Sequence, residues 1–166
     1  VGGYMARIVK FFTNQTLEQL AYLAGIVDGE GCFYFGRVKQ GRYGNGTQWH
    51  CKLAVTSCDQ CLTDWLNKLF GGTKEQRYRY TSKRAYERPV YRWDASGLML
   101  DYILPLILPY LIIKKKQCQI MIEIRKTYKN IGSKRLPESI VAIREEFLVI
   151  MRNLNSRFHD HPLKVH

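Results

Sequence analysis

Two carboxylates stand at the end of a helix-like segment, where a helix should disfavour them. Apolar residues recur at three- and four-residue intervals from Leu17 to Val27, which predicts an amphipathic helix capped by Asn14 or Thr16. Asp28 and Glu30 follow within the glycine-rich stretch "GIVDGEG". The C-terminal end of a helix is partly negative, so each acid costs about 0.3–1 kcal/mol there. A divalent cation would reverse that cost, because carboxylates and carbonyl oxygens are hard ligands for Mg²⁺ or Ca²⁺.

Small residues at four-residue spacing form a stripe on the same helix. A glycine inside a helix costs about 1 kcal/mol relative to alanine, a cost that makes sense where a second helix must approach closely. The natural partner is the same helix of a second copy, and a two-fold axis there would bring the two Glu30 carboxylates together. Alternatively, the glycines and acids at the end of this helix form only an ordinary C-cap and turn. The predicted dimer interface consists of Ala21, Ala24, Gly25, Asp28 and Gly29.

Composition narrows the class of protein. The 166 residues, 46% of them hydrophobic, suffice for one globular domain. The 26 Lys and Arg against 14 Asp and Glu give a net charge of +12, which favours a nucleic acid or an anionic membrane as partner. The longest apolar run, Tyr102 to Ile113, contains two prolines and is too short to span a bilayer. Five cysteines, an odd number, favour a reducing compartment. We therefore expect no membrane partner and an intracellular, not secreted, protein.

The helices and strands predicted to position these residues follow in the order helix, two strands, helix, two strands, then helices. Strand-like runs are predicted at Cys32–Lys39, Gln48–Thr56, Lys74–Tyr80 and Pro89–Ala95. Further helices are predicted at Asp59–Phe70, Gly97–Leu108, Ile112–Tyr128 and Glu138–Asn153. Pro105 should interrupt the Gly97–Leu108 helix and Pro109 should end it. Strands in adjacent pairs imply antiparallel hairpins, hence an α+β fold with helices on one face of the sheet.

The other face of the predicted sheet carries cationic and polar groups. Along Gln48 to Val55 apolar and polar residues alternate, and Phe33 and Phe35 alternate with Tyr34. We expect Val38 to be buried, which requires a β-bulge at Gly36. A basic antiparallel surface can follow a DNA major groove. The predicted DNA-binding residues are Tyr34, Arg37, Lys39, Gln48, His50, Lys52, Arg77, Arg79, Arg92 and Lys116.

The segment "LAGIVDGEG", Leu23 to Gly31, resembles the LAGLIDADG motif of homing endonucleases. It matches at Leu23, Ala24, Gly25, Asp28 and Gly31, and Glu30 is an acid in place of an acid. The similarity extends over about Thr16 to Lys116. It implies the LAGLIDADG endonuclease fold, an αββαββα core with an antiparallel saddle-shaped sheet plus C-terminal helices, assembled as a homodimer. The expected division is an N-terminal extension at 1–15, the core at 16–130, and a C-terminal helical region with a tail at 131–166.

The resemblance also implies roles for particular residues. In the family the last acid of the motif binds the catalytic metals, assisted by the preceding backbone carbonyl; these positions are Glu30 and Gly29, with Asp28 structural. A basic residue beside the scissile phosphate falls on Lys114, with Lys116 second. A water-positioning residue falls on Ser57, or on Cys58 if the alignment shifts by one. The expected ion is Mg²⁺; Mn²⁺ is a further option, and Ca²⁺ would bind without supporting cleavage.

The resulting hypothesis is an intron-encoded homing endonuclease that makes a metal-dependent double-strand break in a long pseudo-palindromic DNA target. An RNA maturase that uses the same fold to help its own intron RNA splice is the alternative. A zinc site at Cys58 and Cys61 is a weaker possibility, since a second CxxC is missing. The family implies an organelle (chloroplast or mitochondrion) or a prokaryotic or archaeal cytoplasm as location.

Overall fold

A computed structural model describes residues 15–39, 47–77, 89–128 and 136–156 of the chain. Within these ranges no helix is both long and apolar enough to cross a bilayer. The helices are α1 (Leu17–Glu30), α2 (Gln60–Phe70), α3 (Leu98–Ile107), a 3₁₀ turn (Leu108–Tyr110), α4 (Lys115–Lys126) and α5 (Glu138–Ser156). The strands are β1 (Gly31–Lys39), β2 (Thr47–Ser57), β3 (Thr73–Arg77) and β4 (Val90–Ser96).

The four strands form one antiparallel sheet in the order β1-β2-β4-β3. The two hairpins meet where β2 pairs with β4, so β1 and β3 are the outer strands. The predicted α+β class and antiparallel sheet are confirmed. The glycine-rich connection at 40–46 and the loop at 78–88, where Arg79 was predicted to contact DNA, lie outside the described residues.

The core lies between one face of the sheet and the helices. Phe33, Leu53, Val55 and Trp93 are all at most 1% exposed and belong to one apolar cluster with residues of every helix. The alternation predicted for β2 is confirmed, since Trp49 and every second residue after it are buried. The opposite face, here called the outer face, carries the polar residues of the same strands.

The bulge predicted at Gly36 is wrong. Every residue of β1 pairs in continuous register with β2, from Gly31 opposite Val55 to Lys39 opposite Thr47. Val38 is therefore on the outer face and is 48% exposed rather than buried. Gly36 is required for a different reason, because a Cβ there would lie 2.4 Å from the Tyr34 hydroxyl. The glycine lets the Tyr34 ring lie flat over β1.

Two helix boundaries also differ from the prediction. Pro105 does not interrupt its helix, since α3 runs from Leu98 to Ile107 and contains it. The proline lies on the exposed side of α3, where water can reach the Asp101 carbonyl that receives no N–H from residue 105. The next helix begins at Lys115 rather than Ile112. The backbone N–H groups of residues 112–114 bind a side chain of α1 instead, as described below.

A buried polar cluster joins the last three helices beside the apolar core. Arg125 of α4 forms two hydrogen bonds of 2.9 Å with Asp101 of α3. The Tyr128 ring lies between the guanidinium groups of Arg125 and Arg144, 4.8 and 3.9 Å from its centroid. Burial raises the pKa of Tyr128 to about 12, so the ring stays neutral between the two cations. Arg144 of α5 also donates to the hydroxyl and the carbonyl of Thr127 at the end of α4, at 3.0 and 2.9 Å, so the cluster ties α5 to α4.

Candidate active site and nucleic-acid interface

The helix that carries the acids is fixed at its start by a capping box. The Thr16 hydroxyl accepts a hydrogen bond from the Gln19 backbone N–H, and the Gln19 side chain accepts one from the Thr16 N–H. Gly31 then leaves the helix in an extended conformation and starts β1. The two acids therefore lie in the last turn of α1, as predicted, at the point where helix becomes strand.

Asp28 is stabilised by backbone groups from a distant segment. Its carboxylate accepts hydrogen bonds from the N–H groups of Ile112, Ile113 and Lys114, at 2.8, 3.2 and 2.8 Å. Three donors aimed at one carboxylate outweigh the unfavourable end of the helix dipole. The acid that looked misplaced in the sequence is thus a bridge between α1 and the entrance to α4.

Lys114 joins the same two segments, but here the donor is a side chain and the acceptors are backbone carbonyls of α1. Its ammonium donates to the carbonyl oxygens of Val27 and Asp28, at 2.9 Å each, in the last turn of α1. Burial lowers the pKa of Lys114, and the charge of Asp28 offsets part of that lowering. An ammonium has three N–H donors, so one remains for a further acceptor. We call this arrangement of Asp28 and Lys114 the clasp.

Glu30 differs from Asp28 in being exposed, and no hydrogen bond or ion pair connects it to another described residue. The Gly29 carbonyl belongs to the same turn, where helix carbonyls lack intrahelical partners. This pair is a hard oxygen donor set that suits Mg²⁺, Mn²⁺ or Ca²⁺. The described residues contain no group of three or more His, Cys, Asp or Glu that could hold an ion by itself. Mg²⁺ is usually held by one or two carboxylates together with waters and substrate phosphates, so the donor set fits an ion whose other ligands come from water, substrate or a second copy.

The start of α4 is basic, although the N-terminal end of a helix disfavours cations. This is the reverse of α1, which carries acids at its C-terminal end. Lys115 and Lys116 are exposed in its first turn, where the helix dipole disfavours cations. The clasp holds this end of α4 against the end of α1, so lysines and carboxylates share one small region of the surface. Such an arrangement suits a phosphodiester accompanied by a cation.

Five of the predicted DNA-binding side chains lie together on the outer face. These are Tyr34 of β1, Gln48, His50 and Lys52 of β2, and Arg92 of β4. The Lys52 ammonium lies 5.5 Å from the centre of the Tyr34 ring. The register also settles which face of β4 is outward, since Arg92 pairs with Thr56 while Trp93 is buried.

Asp94 is an outer-face residue that sequence reasoning missed. It accepts from the Arg92 guanidinium at 2.8 Å and lies 3.7 Å from the Lys52 ammonium. This acid fixes the direction of two cations on the outer face, where Glu75 of β3, opposite Arg92, is a second acid. The alternation in "YRWDA" contains the signal, because Trp93 inward requires Asp94 outward.

The remaining predicted DNA contacts are not all on this face. Arg37 is on the helix side of β1, because the strand has no bulge, and it pairs with Glu145 of α5 at 2.6 Å. Its predicted place on the outer face is therefore wrong. Lys39 and Arg77 are described only by their backbone pairing with Thr47 and Val90. Lys116 belongs to the lysines of α4 rather than to the sheet.

Ser57, the predicted water-positioning residue, ends β2 and has a local role. Its hydroxyl accepts a hydrogen bond from the Asp59 N–H at 3.0 Å, and the Asp59 carboxylate caps α2 by accepting from the Cys61 N–H at 2.8 Å. Cys58, the alternative at this position, is exposed, as are Cys61 and Cys32. Nothing in these contacts links Ser57 to Glu30.

The predicted dimer face is mostly open in the single chain. A Cβ added at Gly25 or Gly29 would meet no atom within 4 Å, and Ala21 is exposed on the same side. Ala24 is the exception, because it is fully buried in the core and cannot lie on that face. Large apolar side chains remain uncovered on α1 and just before α4: Leu17 at 67% exposed, Tyr22 at 59%, Ile112 at 86% and Ile113 at 64%.

Comparison with known proteins identifies the fold. The sequence matches no protein-family model and no curated protein. Among solved structures it is similar to the homing endonuclease I-CvuI in complex with its target in the presence of Ca, with a TM-score of 0.67 and 23% identity over 83% of this chain and 82% of that chain. It is also similar to the archaeal intron-encoded homing endonuclease I-Vdi141I complexed with DNA (TM-score 0.65, 15% identity, 82% of this chain and 84% of that chain).

A third similar structure is the LAGLIDADG homing endonuclease I-SmaMI bound to cleaved DNA. Its TM-score is 0.55 and its identity 19%, and the match covers 87% of this chain but only 45% of that chain. Identities in this range establish a common fold. The fold expected from the motif is therefore confirmed.

Proposed function

We propose that this chain, which has the fold of the LAGLIDADG homing endonucleases, is a site-specific DNA endonuclease that cuts a long pseudo-palindromic duplex as a homodimer. The observation that carries the proposal is the difference between the surroundings of the two acids at the end of α1. Asp28 is occupied by three backbone donors, whereas Glu30, two residues later, is exposed at the same helix end. A purely structural turn has no use for the second carboxylate.

The proposed dimer uses the open face of α1. Two copies of Gly25 and Gly29 would let the helix backbones approach closely, and the exposed Leu17 and Tyr22 would be covered. A dyad there would place both Glu30 carboxylates at one site and extend the outer faces into one surface. The similarity to I-SmaMI is consistent with this, because one chain corresponds to less than half of that protein's length.

In the proposed site Glu30 and the Gly29 carbonyl hold the divalent ion. When bound, such an ion activates water and stabilises the charge of a phosphodiester undergoing in-line displacement. Mg²⁺ is the proposed ion, and the similar endonuclease I-CvuI has been crystallised on DNA in the presence of Mg or of Ca. Lys114 holds the end of α1 and turns its third N–H towards the phosphate, with Lys116 as the second cation. We extend the proposal to an intron-encoded origin and to an organelle or a prokaryotic or archaeal cytoplasm.

Cleavage by Glu30→Gln tests the catalytic part. Duplexes selected by wild-type binding from a random library serve as substrates, incubated with Mg²⁺, Mn²⁺ or Ca²⁺. We expect the wild type to cut with Mg²⁺ and the variant to bind the same duplex without cutting it. Glu146→Gln, which removes an exposed carboxylate from α5 instead, is the control and should cut normally. Cutting by Glu30→Gln would remove Glu30 from the mechanism, and splicing assistance without any DNA cutting would favour the maturase.

Oligomeric state tests the dimer separately. Gly25→Leu adds a side chain to open space in the single chain, so the fold should survive while the close approach of two helices is blocked. We expect sedimentation to give a wild-type dimer and a Gly25→Leu monomer with an unchanged circular dichroism spectrum. A wild-type monomer bound to its duplex would contradict the proposal.

A further inference from the structure

A cavity of about 370 Å³ lies outside the candidate active site, between β1 and the C-terminal half of α5. It is lined on the strand side by Tyr34, Gly36 and Arg37, and on the helix side by Arg152 and Asn155. Tyr34 and Gly36 are outer-face residues, whereas Arg37 is on the helix side. The cavity therefore curves around the edge of the sheet and opens beside the outer face.

The cavity is held open by specific contacts. The Asn155 amide donates to the Phe33 carbonyl at 3.0 Å, which fixes α5 on the unpaired edge of β1. The Arg37–Glu145 ion pair contacts α5 nearly three turns earlier. In an antiparallel ladder alternate residues direct their backbone groups to the same side, so the Phe35 N–H faces the same edge as the Phe33 carbonyl. A backbone donor is thus available in the wall of the cavity.

The charge in the cavity is positive. Arg37 and Arg152 both line it, and Glu145 is already held by Arg37. Arg152 is exposed and forms no hydrogen bond or ion pair with the described part of the chain. The C-terminal end of α5 is partly negative and disfavours an anion, so Arg152, unpaired among the described residues, must supply most of the attraction, with Arg37, whose charge is balanced by Glu145, adding its remaining N–H donors. Planar guanidinium groups beside an N–H donor suit a phosphate oxygen.

The width of the sheet decides which phosphate can reach this site. Four strands about 4.8 Å apart span about 14 Å from β1 to β3, whereas the major groove of DNA is about 12 Å wide. When the outer face meets the groove, the edge strands must lie beneath the two phosphate backbones. We propose that the cavity between β1 and α5 binds a backbone phosphate of the duplex through Arg37 and Arg152. This rests on the proposed DNA binding and makes α5 part of the interface.

The salt dependence of binding tests the site without knowledge of the target, because phosphate contacts do not depend on sequence. The probe is a short fluorescent duplex of arbitrary sequence, titrated by anisotropy between about 50 and 200 mM salt. We expect Arg152→Ala to reduce the slope of log K against log[salt] by about 0.9 per chain. Arg152→Lys should retain the wild-type slope, because the charge is kept.

Lys68→Ala is the matched control. It removes one exposed cation from α2, which packs over β2, β3 and β4 rather than β1, so the slope should not change. A slope unchanged by Arg152→Ala, or lowered as much by Lys68→Ala, would overturn the proposed site while leaving DNA binding intact. Failure of the wild type to bind any duplex would overturn the proposed function itself. Unaltered thermal unfolding of Arg152→Ala is expected, because the side chain is exposed.

Discussion

Asp28→Asn should destabilise the protein without altering its shape. The carboxylate accepts three backbone N–H groups, two on one oxygen and one on the other. The amide keeps one oxygen and turns an NH₂ group towards a donor, so at least one of these bonds is lost. Lys114 also loses the charge that favours its ammonium. The perturbation acts only on the clasp, since the side chains are nearly the same size.

The expected loss is about 1.5–3 kcal/mol, the usual contribution of hydrogen bonding to a charged group. Asp28 is only half-buried, so water can replace part of the loss and the lower end of the range is favoured. For a chain of this size each kcal/mol corresponds to about 2–4 °C, which gives a fall of about 3–12 °C in the melting temperature. Urea unfolding followed by tryptophan fluorescence measures the change, at several protein concentrations if the protein is dimeric.

Glu30→Gln is the matched control for this measurement. It makes the same charge change two residues later, at an exposed position with no described partner. We expect it to alter the free energy of unfolding by no more than about 0.5 kcal/mol. If Asp28→Asn cost no more than Glu30→Gln, the three short contacts would contribute nothing measurable, and the clasp would not explain why the acid is there.

Two further predictions concern β1 and the pH dependence of stability. Gly36→Ala should lower the free energy of unfolding in urea by about 1 kcal/mol, because its Cβ would displace the partly exposed Tyr34 ring. Adding Tyr34→Ala should restore most of that stability. A double variant as unstable as Gly36→Ala alone would contradict this contact. Lys114 has a lowered pKa, so the unfolded chain binds its proton more tightly than the folded chain does. The free energy of unfolding of the wild type, relative to that of Lys114→Met, should therefore increase as the pH rises towards the usual pKa of lysine. Urea titrations at several pH values measure this difference. A difference that does not change with pH would contradict the burial of this ammonium.

Local patterns were sufficient to predict much of this fold. The three- and four-residue spacing of α1 and the alternation of β2 are properties of neighbouring residues, and both match the structure. The capping role of Thr16 also depends only on residues within one turn. The order of elements followed from these signals, and the order sufficed to give an antiparallel α+β sheet.

Contacts between distant segments explain what the sequence did not reveal. The apolar residues Ile112 and Ile113 looked helical, but their N–H groups bind Asp28, which is more than 80 residues away. Gly36 is the exception, because the Tyr34 ring that lies over it is only two residues away, and the glycine was interpreted as a bulge all the same. The place of Arg37 depended on the same error of register. In the candidate site the residues could be named from the motif, whereas their partners could not.

The two outer strands differ in how they are protected from pairing with another chain. An unpaired strand edge is a template for aggregation. On β1 that edge is covered by α5, with Asn155 occupying the Phe33 carbonyl. On β3 the described residues read "TKEQR", and charged side chains on an edge strand disfavour the addition of a further strand. In the proposed dimer, a separate chain would expose the apolar side of α1, while the cover on β1 and the charges on β3 limit edge-to-edge pairing between the sheets of different chains.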